Sequence, residues 1–189
     1  MARPAQATKS EIVSSDAEDL ILVDAEDTPV GFLDKSSCHD GKGVLHRAFS
    51  AFVFNDQGEV LIQKRAADKR LWPSYWSNSC CSHPRRGETM ETAVRRRLHQ
   101  ELGMPANQVR NLLYIYKFEY HAAFGAAGSE HELCSVFQAQ FTGEPVVNVT
   151  EIEDWAWVAP AELTRRLAEQ SSQFTPWLHL EWPHVLNGA

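Results

Sequence analysis

Apolar residues in this chain fall mostly into short runs broken by polar turns, and only three stretches carry a helical period. Leu20–Val23 and Val30–Leu33 are apolar runs on either side of a turn at Asp24–Pro29, the pattern of a hairpin. His46–Phe54 is apolar and aromatic in character, with Phe52, Val53 and Phe54 in succession, which predicts a well-buried strand, and Val60–Gln63 returns as its partner after the turn Asn55–Gly58. Ser77–Pro84 crowds Ser, Asn and Pro together with no period and reads as a loop. From Glu88 onward Met90, Val94, Leu98 and Leu102 recur every fourth residue, so they share one face of a helix that Gly103 and Pro105 stop.

The second half repeats the alternation. Leu112–Tyr120, Glu132–Phe141 and Glu151–Val158 read as strands, the last with Trp155 and Trp157 on one face, and Ala122–Ser129 as a small-residue loop. Pro160–Glu169 begins with Pro and is amphipathic, and Phe174–Leu186 is a final apolar helix carrying Trp177 and Trp182. Strands, a helix, more strands and then helices predict an α+β domain with a mixed sheet. Residues 1–18 show no periodicity and are expected to be a loose tail, leaving 19–189 as one domain.

Bulk properties narrow the function. The 189 residues suffice for one substantial core, and a net charge of −7 argues against nucleic acid as a partner. Basic residues nevertheless gather at Lys64-Arg65, Lys69-Arg70, Arg85-Arg86 and Arg95-Arg96-Arg97, a density that suits a small anionic ligand. Cys38, Cys80, Cys81 and Cys134 have no disulfide-framework spacing, and no run approaches the ~20 apolar residues of a membrane helix. A reducing, cytoplasmic setting without membrane attachment is expected.

His39, His46, His83, Glu130 and Glu132 are candidate ligands for a divalent metal. They lie on loops or strand starts, and period two places both carboxylates on one face. Glu101 is an acid in the last turn of a helix, where the dipole disfavours it, which hints at a cation. Cys81 is a candidate acid or base, since a thiol near an imidazole or metal can exchange protons. Cys80 beside it is equivalent on chemistry alone. Tyr120 and Trp177 taken singly are ordinary core aromatics.

Ser79-Cys80-Cys81-Ser82-His83-Pro84, Glu101-Leu102-Gly103, Tyr120 and Glu130-His131-Glu132 together resemble the type 1 isopentenyl-diphosphate isomerases. Cys38-His39 and Leu45-His46-Arg47-Ala48-Phe49-Ser50 match the beginning of that pattern, and Thr175-Pro176-Trp177 its end. The resemblance implies a Nudix-like α/β/α sandwich with an added N-terminal hairpin and C-terminal helices. It also implies a 1,3-allylic proton shift between isopentenyl and dimethylallyl diphosphate in isoprenoid biosynthesis. Cys81 and Glu132 would exchange protons with the substrate, Tyr120 would assist Glu132, and Trp177 would face the cationic state. The resemblance further implies Mn2+, Zn2+ or Mg2+ on the three His and two Glu residues, and a second Mg2+ between Glu101 and the diphosphate. By matching positions, Lys35, Arg65, Lys69 and Arg97 would hold the diphosphate. The partner is then a small diphosphate, and the chain is expected as a monomer or weak homodimer.

A general Nudix box runs Gly-x5-Glu-x7-Arg-Glu-U-x-Glu-Glu-x-Gly, U being apolar. Aligned on Gly103, this chain supplies Ser82, Glu88, Arg96, Arg97, Leu98, Gln100 and Glu101. Arg97 and Gln100 replace two carboxylates, so a hydrolase relying on several Mg2+ ions would lack ligands. An isomerase leaves the diphosphate uncut and tolerates that loss. Ser82, between the Cys and the His, departs from the Gly expected there. Two other classes compete: a Nudix hydrolase of nucleoside or other diphosphates, and a zinc-stabilised binding module.

Overall fold

The computed structural model describes residues 8–188. In chain order its strands are β1 (Thr8–Lys9), β2 (Asp19–Val23), β3 (Pro29–Asp34), β4 (His46–Phe54), β5 (Val60–Arg65) and β6 (Trp76–Ser77). Then come β7 (Cys80–Ser82), β8 (Arg110–Ala123), β9 (Ser129–Gln140), β10 (Val147–Asn148) and β11 (Ile152–Val158). The helices are α1 (Lys35–Cys38), α2 (Met90–Leu102), α3 (Pro160–Glu169) and α4 (Pro176–Leu186).

The mixed nine-stranded sheet is organised around β4. Along one side β4 runs parallel to β9, with His46 beside Glu132 and Ser50 beside Val136, and β8 lies antiparallel outside β9. Along the other side β4 meets β2 at its start, β7 at its middle and β5 at its end, and β5 carries β6 and β11. Alternate residues of β4 face opposite layers. Phe49, Ala51 and Val53 pack with Ala93, Val94, Leu98 and Leu102 of α2. Phe52 packs with Leu163 and Leu167 of α3 and with Leu178, Trp182 and Val185 of α4. This gives an open α/β/α sandwich whose large buried side chains each contribute roughly 1.5–3 kcal/mol.

α2 starts two residues later than its pattern suggests. Thr89 is the cap, accepting from the Thr92 amide at 3.2 Å, and Glu88 instead pairs with Arg96 from outside the helix. At the other end Gly103 takes the left-handed conformation (φ 65°), and a Cβ there would sit 2.7 Å from the Val146 carbonyl. The face carrying Val94, Leu98 and Leu102 is buried as the period requires, with Met90 only partly so.

Three expectations need correction. The loop at 77–84 contains β7, which adds to the middle of β4; three residues are too few to carry a period. Phe174 lies outside α4, extended beside Trp76, because Pro176 fixes the first turn of the helix. Residues 8–18 are no loose tail: β1 pairs in parallel with β10, and Val13 is buried, its carbonyl accepting from Arg97 Nη1 at 2.6 Å. The rest of that expectation, residues 1–7, lies outside the described residues. Among the described residues no helix is long and apolar enough to cross a membrane.

Candidate active site

A cavity of about 460 Å3 opens where the starts of β4 and β9 meet β7, the C-terminal part of α2 and the first turn of α4. Three of its walls come from distant parts of the chain: Ile12, Ser14 and Asp16 from the N-terminal segment, Arg65–Leu71 from the basic loop, and Trp177 from α4.

At its floor, His39, His46, His83 and Glu132 bring one ligand atom each within 4.8 Å of one another, all on buried side chains. The sheet produces this convergence. His46 and Glu132 are register partners on β4 and β9, and His83 follows β7, which flanks β4 on the other side. His46 Nε2 stands 3.2 Å from His83 Nε2, and Glu132 Oε1 lies 3.3 Å from His83 Nε2 and 3.7 Å from His46 Nε2. Glu130 Oε2 is 2.7 Å from His39 Nε2, yet neither atom makes a hydrogen bond.

These residues fit a divalent cation. His39 Nδ1 and His46 Nδ1 face the carbonyls of Lys35 and Val44 at 2.7 and 2.8 Å. Each Nδ1–H donated there leaves an Nε2 lone pair turned inward. Two buried ligand atoms without hydrogen bonds, among imidazoles and carboxylates, are the donor set that Zn2+ or Mn2+ takes and that Mg2+ accepts less readily. Electrostatics agrees. Burial pushes the His83 imidazole well below its usual range, so it stays neutral. Glu130 and Glu132 stay below the usual carboxylate range: burial would raise both, but His39 outweighs it for Glu130 and the nearby His46 imidazole does so for Glu132. Burial opposes charging of His46, but its hydrogen bond with Cys38 and the Glu132 carboxylate nearby carry it up to about 10, so without a cation its Nε2 holds a proton, which a bound cation would replace to use the lone pair.

Above the floor, Tyr120 donates to Glu132 Oε2 at 2.8 Å. Burial, helped by the Glu132 charge, pushes the Tyr120 phenol well above its usual range, and the same two causes raise the Cys81 thiol. Cys81 is only half-buried and lines the cavity, with its sulfur accepting from Ser50 Oγ at 3.5 Å. Cys80, its neighbour, points the other way into the core beside α2, 3.4 Å from Glu101 Oε1. Alternation along β7 therefore separates two thiols that the sequence left equivalent. Trp177 is held by donation from Nε1 to Ser77 Oγ and Asn78 Oδ1, at 3.0 and 3.1 Å, and Arg65 Cζ lies 5.3 Å from its ring centroid.

The basic residues split into two groups. Lys35, Arg65, Lys69 and Arg97 all line the cavity, as does Arg70, whereas Arg85, Arg95 and Arg96 pair with Glu18, Glu91 and Glu88 elsewhere. None of the four is idle. Lys35 donates to Ser14, Arg65 to the carbonyls of Leu71 and Trp72, and Lys69 to Glu151. Burial lowers the Lys35 ammonium, with the Lys69 and Arg97 charges adding to the effect and the Glu151 and Glu130 carboxylates opposing it. Arg97 is buried between Glu101, 2.7 Å away, and Glu151, 3.5 Å away; the burial cost is outweighed by these carboxylates, which keep it charged. Glu101 thus meets a guanidinium as well as the cavity. Glu151 was not among the sequence candidates, because an acid at the end of a turn carries no pattern.

The NUDIX domain model matches residues 44–178. The chain is 41% identical over 169 residues to the isopentenyl-diphosphate Delta-isomerase of Paenarthrobacter aurescens, covering 89% of this chain and 91% of that protein. It is 39% identical over 178 residues to the isopentenyl-diphosphate Delta-isomerase of Agromyces mediolanus, covering 94% and 85%. Among solved structures, DR0079 from Deinococcus radiodurans superposes with a TM-score of 0.65 at 26% identity, over 80% of this chain and 89% of that one. A MutT NUDIX hydrolase from Burkholderia pseudomallei reaches 0.57 at 23% identity, over 75% and 98%, a likeness of fold alone.

Proposed function

The chain belongs to the isopentenyl-diphosphate Delta-isomerases of the NUDIX family, and on that premise we propose how its own residues carry the reaction. The reaction adds one proton to the terminal carbon of the substrate alkene, removes one from the carbon two positions along, and leaves the diphosphate intact. An alkene is a very weak base, so its protonation demands a positioned acid, a positioned base and a site that keeps water away from the cationic state.

Cys81 and Glu132 are the proposed pair. The observation that carries this reading is that the Cys81 sulfur and the Glu132 carboxylate line one cavity, the carboxylate gripped by Tyr120 at 2.8 Å; burial, which pushes the thiol up, favours Cys81 as the group that starts with the proton. Between them they hold one proton before and after turnover. One gives and the other takes, and exchange with solvent resets them. Trp177 offers its ring to the positive charge that develops, an interaction worth ~2 kcal/mol when desolvated.

His39, His46, His83, Glu130 and Glu132 are proposed to hold a divalent cation, which when bound would fix the Glu132 carboxylate and tune its basicity. Glu101, beside Arg97, is the proposed contact for Mg2+ brought with the diphosphate, since Mg2+ binds through few carboxylates plus substrate phosphates. Lys35, Arg65, Lys69 and Arg97 would receive the diphosphate, which replaces the Glu151 carboxylate as the partner of Lys69.

Incubation of the protein with Mg2+ and isopentenyl diphosphate in deuterated water tests this. Deuterium should enter the dimethylallyl diphosphate formed, and Cys81→Ala and Glu132→Gln should each stop product formation while circular dichroism is unchanged. Phosphate release from nucleoside diphosphates without allylic product would overturn the proposal in favour of hydrolysis, and near-normal turnover by Cys81→Ala would remove that residue from it.

A further inference from the structure

α4 brings two side chains inward near the cavity, and the proposed chemistry uses only one of them. Trp177 lines the cavity; Glu181, one helical turn later, does not, yet it is fully buried. Its Oε2 makes no hydrogen bond among the described residues, and its Oε1 lies 3.6 Å from Cys134 Sγ. A carboxyl left this way inside an apolar layer costs free energy, so its presence calls for a reason.

The contacts continue toward the reacting atoms. Cys134 on β9 is 3.6 Å from Ser50 Oγ on β4, and Ser50 Oγ is 3.5 Å from Cys81 Sγ on β7. Three adjacent strands and one helix thus carry an unbroken line of polar groups across one face of the sheet, from Glu181 to the cavity. Each of Cys134, Ser50 and Cys81 owns one hydrogen, so the direction of the line is set by whatever stands at its closed end.

We infer that Glu181 is a positioning residue for Cys81, acting through Cys134 and Ser50 to aim the Cys81 S–H into the cavity. With a neutral carboxylic acid at the closed end, the acid donates to Cys134, Cys134 to Ser50, and Ser50 to the Cys81 sulfur. The Cys81 sulfur is then occupied as an acceptor, and its own hydrogen is left to point at the substrate. An apolar residue at 181 would release Cys134 and Ser50 to turn either way. Burial raises the Glu181 carboxyl to about 8, with the Glu132 charge acting in the same direction, in keeping with a neutral acid near pH 7 that has a hydrogen to donate.

This rests on the reading of Cys81 as a reacting group, and the test separates the two. Steady-state isomerisation and thermal unfolding are measured for Glu181→Gln, Glu181→Leu, Ser50→Ala and Cys81→Ala, all loaded with the same metal. Glu181→Leu should lose roughly ten- to a hundredfold in kcat with KM unchanged, since the diphosphate corner is untouched. Its Tm should hold or rise, because an apolar replacement removes an unpaired buried polar atom. Glu181→Gln, whose amide can still donate to Cys134, should stay within about threefold of the parent kcat. Ser50→Ala breaks the same line without touching α4 and should reproduce the kcat loss, which keeps the inference testable if Glu181→Leu does not fold. Unchanged kcat in Glu181→Leu or Ser50→Ala, or a loss in Glu181→Gln as large as in Glu181→Leu, overturns the inference. So does a kcat loss that only accompanies a fall in Tm. Turnover by Cys81→Ala would instead sink the reading of Cys81.

Discussion

The buried carboxyl of Glu181 makes a quantitative demand on stability. Burial lifts it from its ordinary value of 4.5 to about 8, with the Glu132 charge acting in the same direction. Between those two values the folded protein keeps a proton that the unfolded chain has released. Stability contributed by this group is therefore full below pH 4.5 and is lost as pH rises, until the carboxyl ionises in the native state near pH 8. At ~1.4 kcal/mol per pH unit, the wild type should lose ~3 kcal/mol between pH 5 and 7 relative to a variant with no titration at this position. Glu181→Gln is that variant: it is neutral at every pH and nearly the same size. Other titrating neighbours, Cys134, Tyr116 and Glu132, are common to both proteins and cancel in the difference. For a chain of this length ~3 kcal/mol corresponds to roughly 6–12 °C in Tm. Calorimetry of both metal-loaded proteins from pH 5 to 9 should show the Tm of Glu181→Gln gaining on the wild type with rising pH, then a constant gap above pH 8 or so. A gap that stays constant from pH 5 to 8 would mean that the carboxyl titrates normally, and the account of its burial would be wrong.

Other perturbations give sharper yes-or-no readings. Tyr120→Phe removes the hydroxyl that donates to Glu132 at 2.8 Å, a bond to a charged acceptor worth ~1.5–3 kcal/mol, so kcat should fall roughly ten- to a hundredfold with circular dichroism unchanged. Prolonged chelation should lower both Tm and turnover, and stoichiometric Zn2+ or Mn2+ should restore them; a protein indifferent to chelation would remove the metal from the reading of His39, His46, His83 and Glu132. Gly103→Ala forces a side chain into a left-handed backbone and toward the Val146 carbonyl, so unfolding midpoints in urea should report a loss of ~1–3 kcal/mol.

What could be read from the chain depended on how many residues carried each pattern. His46–Phe54 and Pro160–Glu169 appear at the boundaries their runs indicate, because a nine-residue stretch rich in Phe, Ala and Val or an amphipathic turn behind Pro admits few other conformations. β7 escaped because three residues have no measurable period, and their pairing with β4 is purely tertiary. The metal-ligand candidates share a feature that pattern can find, since each sits where an element begins or ends. Glu181 and Glu151 share none: in a helix or a turn, a glutamate looks like any solvated one until the fold buries it. The resemblance supplied Tyr120 and Trp177, which composition and spacing would have left in the core.

The first stretch of the chain has a practical bearing on how it is handled. Ile12, Ser14 and Asp16 form a wall of the cavity, and Val13 anchors Arg97, although all of them lie outside the family match that opens at residue 44. Trimming the protein back to Asp19, where β2 begins, would keep every proposed ligand and both proposed proton carriers, yet strip away the screen beside them. Such a shortened enzyme should fold and bind metal while admitting water to its reaction chamber.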